Sequence, residues 1–288
     1  MVKVLITGSN GQLGSEIKEL QSKYDNIECI FKDLPELDIC NFESLNSFVL
    51  DQKINAVINC AAYTAVDKAE KNFQIAHRVN SEGVTNLVEA LEKVNGKFIH
   101  ISTDYVFDGS SAEPYKESDK VSPIGVYGET KREGELSVIN SNIDSIVIRT
   151  SWLYSSYGKN FVKTMLRMGC EKESLNVICD QIGTPTYAKD LAKTCLDILS
   201  IPGRMSKKGK VYHYSNEGVA SWFDFAVMIV ELAGLNCKVN SVLTKDYSTL
   251  AKRPQYSVLN KTKIKEDFKM DIPYWKDSLK ECISKLKQ

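Results

Sequence analysis

Apolar positions in the first half of the chain fall in short unbroken runs, separated by longer stretches in which they recur every three or four residues. Val2–Ile6, Ile27–Phe31, Ala56–Cys60, Phe98–Ser102 and Ser145–Thr150 are runs of the first kind. Runs apolar on both faces predict strands buried inside a parallel sheet. Leu13–Lys23, Phe42–Gln52, Phe73–Lys93 and Tyr127–Ser137 are of the second kind and predict helices, with Leu13, Ile17 and Leu20 marking the period in the first. The alternation predicts an α/β fold: a doubly wound parallel sheet with helices on both faces. Past residue 150 the regular alternation is lost. Helices are predicted at Asn160–Gly169, Tyr187–Leu199, Trp222–Ala233 and Trp275–Leu286, the last with Leu279, Ile283 and Leu286 on one face. Two unequal parts are expected, 1–150 and 151–288, the second a smaller cap with some elements returning to the main sheet.

The junction of the first strand and first helix carries three glycines, Gly8, Gly11 and Gly14, in Thr7-Gly8-Ser9-Asn10-Gly11-Gln12-Leu13-Gly14. Glycine at the first position permits a sharp turn. At the second it lets backbone N–H groups approach a pyrophosphate, and at the third it lets helix and strand pack closely. The helix N-terminus adds unpaired donors and positive partial charge. The fold expected for 1–150 is therefore a Rossmann-like dinucleotide-binding domain, and the cap becomes the expected substrate-binding part. The spacing is G-x-x-G-x-x-G rather than the usual G-x-G-x-x-G. At the end of the second strand Asp33 suits the ribose 2′-hydroxyl of NAD(H), while the adjacent Lys32 suits the 2′-phosphate of NADP(H), so both cofactors stay open. After the third strand, the small Ala61 and Ala62, followed by Tyr63, would let the loop lie against the cofactor's ribose and diphosphate.

Composition mostly excludes. Thirty-seven basic residues balance thirty-seven acidic ones in 288, so the net charge favours neither nucleic acid nor an anionic membrane as partner. Hydrophobic content is 43%, and no apolar run approaches the ~20 residues of a membrane span. The first strand begins at once, leaving no room for a signal peptide. Eight cysteines lack C-x-x-C spacing, and several fall in apolar patterns. They read as reduced core residues, which suits a cytoplasmic location.

The fourth strand ends in Ser102-Thr103-Asp104-Tyr105, at the sheet edge where α/β proteins keep reactive groups. Beyond a loop, Tyr127 and Lys131 lie one turn apart on a helix, the only Y-x-x-x-K spacing among thirteen tyrosines. A phenol has a reference pKa near ~10 and is a reluctant acid or base at neutral pH. An ammonium ~4 Å away at an effective dielectric of ~20 would favour phenolate by roughly 4 kcal/mol, lowering that pKa by roughly three. Tyr127 is then expected to exchange a proton with a carbonyl oxygen while hydride moves at the carbon. Thr103 would orient the same oxygen, and Lys131 would also hold the nicotinamide ribose.

The T-G-x-x-G-x-x-G turn resembles the extended short-chain dehydrogenase/reductase superfamily. Cys60–Glu70, Ser102–Gly109, Tyr127–Lys131, Arg149–Tyr154, Asn160–Met165, Asp180–Thr186 and Arg253–Ser257 are similar to the dTDP-4-dehydrorhamnose reductase family, across essentially the whole chain. That resemblance implies NAD(P)H-dependent reduction of the C4 ketone of dTDP-4-dehydro-6-deoxy-L-mannose, the last step to dTDP-L-rhamnose. It implies a catalytic set of Thr103, Tyr127 and Lys131, with Tyr127 the proton donor. It also implies substrate contacts from Thr103, Asp104, Trp152 and Arg253, although Trp152 equally suits a core position and Arg253 an exposed one. Leu37-Asp38-Ile39 resembles the family's loop near the adenine, adding Asp38 and Ile39 to the cofactor residues. Some members bind Mg²⁺ through glutamates at a dimer interface. Glu16 falls at one such position, but Lys189 stands at the second, so the metal is left open, as is a homodimer. A sibling dehydratase is disfavoured because Tyr105 stands where those enzymes carry a glutamate. A nucleotide-sugar epimerase and a non-catalytic NADP-binding subunit of the methionine adenosyltransferase type remain as alternatives.

Overall fold

The computed structural model describes residues 1–201, 203–205, 208–247 and 249–287. Five strands of the first half, β1 (Val2–Thr7), β2 (Ile27–Lys32), β3 (Ala56–Asn59), β4 (Lys97–Thr103) and β5 (Asp144–Thr150), lie in one sheet. In the second half come β6 (Ser174–Ile178), β7 (Lys210–His213) and β8 (Lys238–Val242). Of these, β7 pairs in parallel with β5 and completes a six-stranded sheet of order β7-β5-β4-β3-β1-β2. Every pairing in that sheet is parallel.

The strands bury both faces, as their continuous apolar runs predict. Side chains alternate by two along each strand. Val4 and Ile6 therefore join Ile58, Ile99 and Ile146 on one face, and Leu5 joins Val57, Phe98 and Val147 on the other. The first face is covered by α1 (Gln12–Leu20), through Leu13, Ile17 and Leu20. The second is covered by α2 (Phe42–Asp51), by α3 (73–92) and by α4 (Val126–Ile139). Helix α3 is not continuous: Phe73–His77 and Gly83–Glu92 are joined by a π turn at Arg78–Glu82. Such turns redirect side chains and often mark functional sites. Here the turn buries Asn80, whose amide clamps the backbone of Tyr63 at 2.8 and 3.1 Å and donates to Thr130 Oγ1 at 3.2 Å.

Past residue 150, α5 (Phe161–Glu171) begins at Asn160, which is the N-cap rather than the first helical residue and accepts from Lys163 N–H at 3.0 Å. Then follow α6 (Ala188–Ser200), α7 (Trp222–Ala233), α8 (Thr262–Phe268) and α9 (Trp275–Leu286). Helices α6 and α8 pack on the first face of the main sheet through Leu191, Leu196, Ile264 and Phe268. A separate core joins α5, α7 and α9 around Val162, Phe225, Ile229 and Leu279, beside the small parallel pair β6–β8. All eight cysteines are free; Cys170, expected in a core, is exposed near the end of α5. Among the described residues, no helix is long and apolar enough to cross a membrane.

Candidate active site

The strand order reverses between β1 and β3, so the loops after these two strands part and leave a crevice at their carboxyl ends. Gly8 there has φ +59°, and a Cβ on it would lie 2.6 Å from Ala61 N. A Cβ on Gly14 would lie 2.5 Å from Ser9 Cα, so only hydrogen fits where α1 leaves the turn. Gly11 is the N-cap of α1, and among the described residues no side chain caps it. The first donors of α1 thus face a cleft of about 560 Å³ walled by Gly8, Gly11, Gln12, Leu13 and Ala62. Behind it Asn59 fixes both loops, accepting from Thr7 Oγ1 at 2.6 Å and from Ala61 N–H at 3.2 Å.

The facing wall carries Thr103 from the end of β4 and both Tyr127 and Lys131 from the first turns of α4. The structure therefore brings the three together in the glycine-lined cleft. Their electrostatics differ from the sequence expectation. Lys131 is buried, and its ammonium donates to the Ile101 carbonyl at 2.7 Å, because a buried cation must satisfy its donors. Burial lowers it to about 8, against the opposing pull of Glu135 one turn along α4. Burial pushes Tyr127 up to about 12, with the Thr103 hydroxyl working the other way. The phenol is therefore held neutral rather than acidified. Its ring meets Tyr105 edge-on, with centroids 5.7 Å apart. Thr103 donates to Asp104 at 3.0 Å, and burial raises the Asp104 carboxyl to about 6.

Other predicted residues lie around this centre. Asn10 N–H donates to Asp33 at 2.9 Å, which places that carboxylate beside the glycine turn, whereas Lys32 is drawn to Glu36 at 2.7 Å. Asp38 accepts from Cys40 N–H at 2.9 Å and lies 3.7 Å from Arg78. Ile39, expected near the cofactor, turns its side chain into the core against α3, as an isoleucine should. Tyr63 does not wall the cleft; its backbone is tied to Asn80 instead. Trp152 and Asp104 do wall it. Arg253 lies in an adjoining groove of about 980 Å³ and pairs with Asp67 at 2.7 Å. Val66, Tyr105 and Trp222 border both cavities, so the two adjoin.

Glu16 is fully buried, accepts from Ser155 at 2.5 Å, and has the Lys285 ammonium at 3.6 Å. Lys189 pairs with Glu281. Among the described residues no group of three or more His, Cys, Asp or Glu is placed to hold a metal. A carboxylate already facing an ammonium does not suit a divalent cation, and no chemistry is assigned to one here.

Sequence reasoning missed Asn160, whose amide donates to Gln12 at 2.9 Å and ties α5 to the glycine turn. Trp222 walls both cavities, where the sequence pattern predicts only the start of a helix. Its only sequence signal, an aromatic just after the serine N-cap of α7, is too common to single out.

A parallel sheet with an uncapped glycine turn at its switch point, and a neutral phenol across from it, places the protein among short-chain dehydrogenase/reductase-type oxidoreductases. A family model described as the RmlD substrate binding domain matches residues 2–288. The dTDP-4-dehydrorhamnose reductase of Aggregatibacter actinomycetemcomitans is 42% identical, over 97% of this chain and 98% of that one. The crystal structure of a Clostridium acetobutylicum dTDP-4-dehydrorhamnose reductase superposes with TM-score 0.94, 44% identity and complete coverage of both chains. That of the Bacillus anthracis reductase, in complex with NADP, gives TM-score 0.91 and 36% identity over 99% of each chain. The chain belongs to the RmlD family of dTDP-4-dehydrorhamnose reductases.

Proposed function

We propose that this chain reduces the C4 ketone of dTDP-4-dehydro-6-deoxy-L-mannose to dTDP-L-rhamnose, with NADPH or NADH as reductant. The observation that carries the reading is the sharing of one cleft by Thr103, Tyr127, Lys131 and the glycine turn, beside a larger groove that shares Val66, Tyr105 and Trp222 with it. The backbone of Gly8, Asn10, Gly11, Gln12, Leu13 and Gly14 would hold the cofactor diphosphate at the start of α1. Ala61 and Ala62 would pack against it, with Asp33, Lys32 and Asp38 at the adenosine end. When bound, the dihydronicotinamide supplies hydride to the carbonyl carbon.

The remaining work falls to the chain itself. Tyr127 gives its phenolic proton to the carbonyl oxygen, and the C–O double bond becomes an alcohol. A phenol held near 12 is protonated at neutral pH, which a donor needs. The incipient alkoxide is a far stronger base than phenolate, so the transfer runs downhill. Thr103 hydrogen-bonds the same oxygen, and the Lys131 charge favours the phenolate left behind. In the adjoining groove Met165, Met168 and Leu175 offer an apolar bed for a nucleobase, with Arg253 and Lys172 for the diphosphate.

Neither the epimerase nor the non-catalytic reading is favoured, because the similar chains are reductases matched over their full length. Elimination lacks its carboxylate, since Tyr105 occupies that position.

Lys131 carries its charge below about 8 and loses it above. The value of kcat/KM, which reports the free enzyme, is therefore expected to fall as pH rises through that value. A profile that stays level well past it removes the ammonium from the mechanism. The direct test mixes protein, NADPH or NADH and the keto sugar, follows the loss of reduced cofactor and identifies the product. Oxidation with a different nucleotide-linked ketone, but not with this one, would keep the chemistry and replace the substrate.

A further inference from the structure

Trp152 holds a backbone φ of +48°, a conformation that bulky L-residues avoid unless their surroundings impose it. Two neighbours pack against its indole. Trp222, the first residue of α7, stacks on the Trp152 indole with centroids 3.7 Å apart and planes within 11°. Gly183 lies against the same ring, where a Cβ would sit 2.7–2.9 Å from Cε2, Cζ2 and Nε1. Gly183 belongs to a small ladder, in which Ile182–Gly183 pairs antiparallel with Ala220–Ser221, and Trp222 follows directly on the second of these strands. Ser221 then caps α7 through reciprocal hydrogen bonds with Asp224, which fixes where Trp222 emerges. From its other side Trp222 is braced by Phe161, centroids 4.6 Å apart. Trp152 walls the cleft that holds Tyr127, whereas Trp222 borders both cavities. A platform of two near-parallel indoles thus stands where the cleft and the groove adjoin.

We propose that Trp222 and Gly183 are positioning residues for the sugar. Trp222 fixes the Trp152 indole across the junction of the two cavities, and the bare Gly183 leaves that indole its room. With Trp222 on one face of that indole and Gly183 over the other, its remaining edge, which walls the cleft, meets the apolar side of a 6-deoxyhexose and sets where the carbonyl meets Tyr127. This rests on the keto-sugar reading above.

Three variants test it: Trp222→Ala, Trp222→Phe and Gly183→Ala. In the free protein the stacked indoles couple as excitons and give a paired positive and negative band in far-ultraviolet circular dichroism. Trp222→Ala is expected to abolish that band and Gly183→Ala to reduce it, because the added methyl displaces the ring. Both are expected to raise KM for the nucleotide sugar about tenfold, with cofactor affinity unchanged. Trp222→Phe is expected to restore KM without the second indole, since a flat ring again braces Trp152. An unchanged KM in variants that have lost the band overturns the proposal, as does a Gly183→Ala protein that keeps the band in full. A wild-type protein that neither binds nor reduces the keto sugar defeats the reading of function instead. In that case the band alone decides whether residues 183 and 222 hold Trp152.

Discussion

Replacing Tyr127 by Phe is expected to lower kcat for the keto sugar by about 10³-fold, within the range that positioned general acids contribute, and to leave cofactor affinity unchanged. The substitution removes one oxygen. The ring keeps its edge-on contact with Tyr105, and Thr103 and Lys131 stay where they are, anchored to Asp104 and to the Ile101 carbonyl. What disappears is the single neutral O–H aimed into the cleft from α4. A water beside Thr103 in its place would lack the fixed tether by which the ring aims its proton at the carbonyl oxygen. Stopped-flow measurement of one turnover with saturating cofactor separates this loss from any change in binding. Turnover equal to wild type would show that the proton comes from elsewhere.

The largest structural effect is expected at Arg149. On β5, only 1% exposed, it grips Glu135 of α4 with two bonds of 2.8 Å, Nε to Oε1 and Nη2 to Oε2. Burial works against the Glu135 charge, but hydrogen bonds and charge from Arg149 still hold its carboxyl below the ordinary range. The guanidinium also lies 5.1 Å from the Phe107 ring centre and reaches His213 of β7 at 3.4 Å. Arg149→Met would strand a buried carboxylate with Arg132, itself 27% exposed, and the charge of Lys131 to answer it. Breaking a buried pair from one side costs about 3–5 kcal/mol, and Arg132 places this case near 3. For a chain of this size that is a drop of roughly 10 °C in Tm. Replacing Glu135 by Leu as well is expected to recover most of the loss, because an apolar pair has no unpaired charge to bury. Unfolding curves for the two single variants and the double variant check this; a single variant as stable as the parent would show that the pair contributes nothing.

The main sheet was legible because its strands are buried on both faces, so composition alone marks them. Strand β7 was not, since Lys210-Val211-Tyr212-His213 is too short and too polar to stand out. Its place is decided by pairing with β5, which is a long-range choice. Boundaries failed where local chemistry overrides periodicity, as at Asn160, which caps its helix instead of entering it. The Tyr127–Lys131 spacing put both residues on one helix face, and the structure sets both in the cleft, yet burial raises the phenol where the spacing predicts that it is lowered. Spacing fixes which face two residues share, but not what a buried ammonium chooses as its acceptor. Nothing in the sequence ties Trp222 and Gly183 to each other, because their contact arises only where two distant segments meet around Trp152.

The insertion of β7 beside β5 also has a kinetic meaning. Until residue 213 has left the ribosome, β5 has an open flank, and the first half of the chain cannot finish its own sheet. A nascent chain paused in the interval would present unsatisfied backbone along a hydrophobic strand, the kind of edge that recruits other chains. Expression as separate halves should for the same reason give aggregates unless the two are made together and can complement each other.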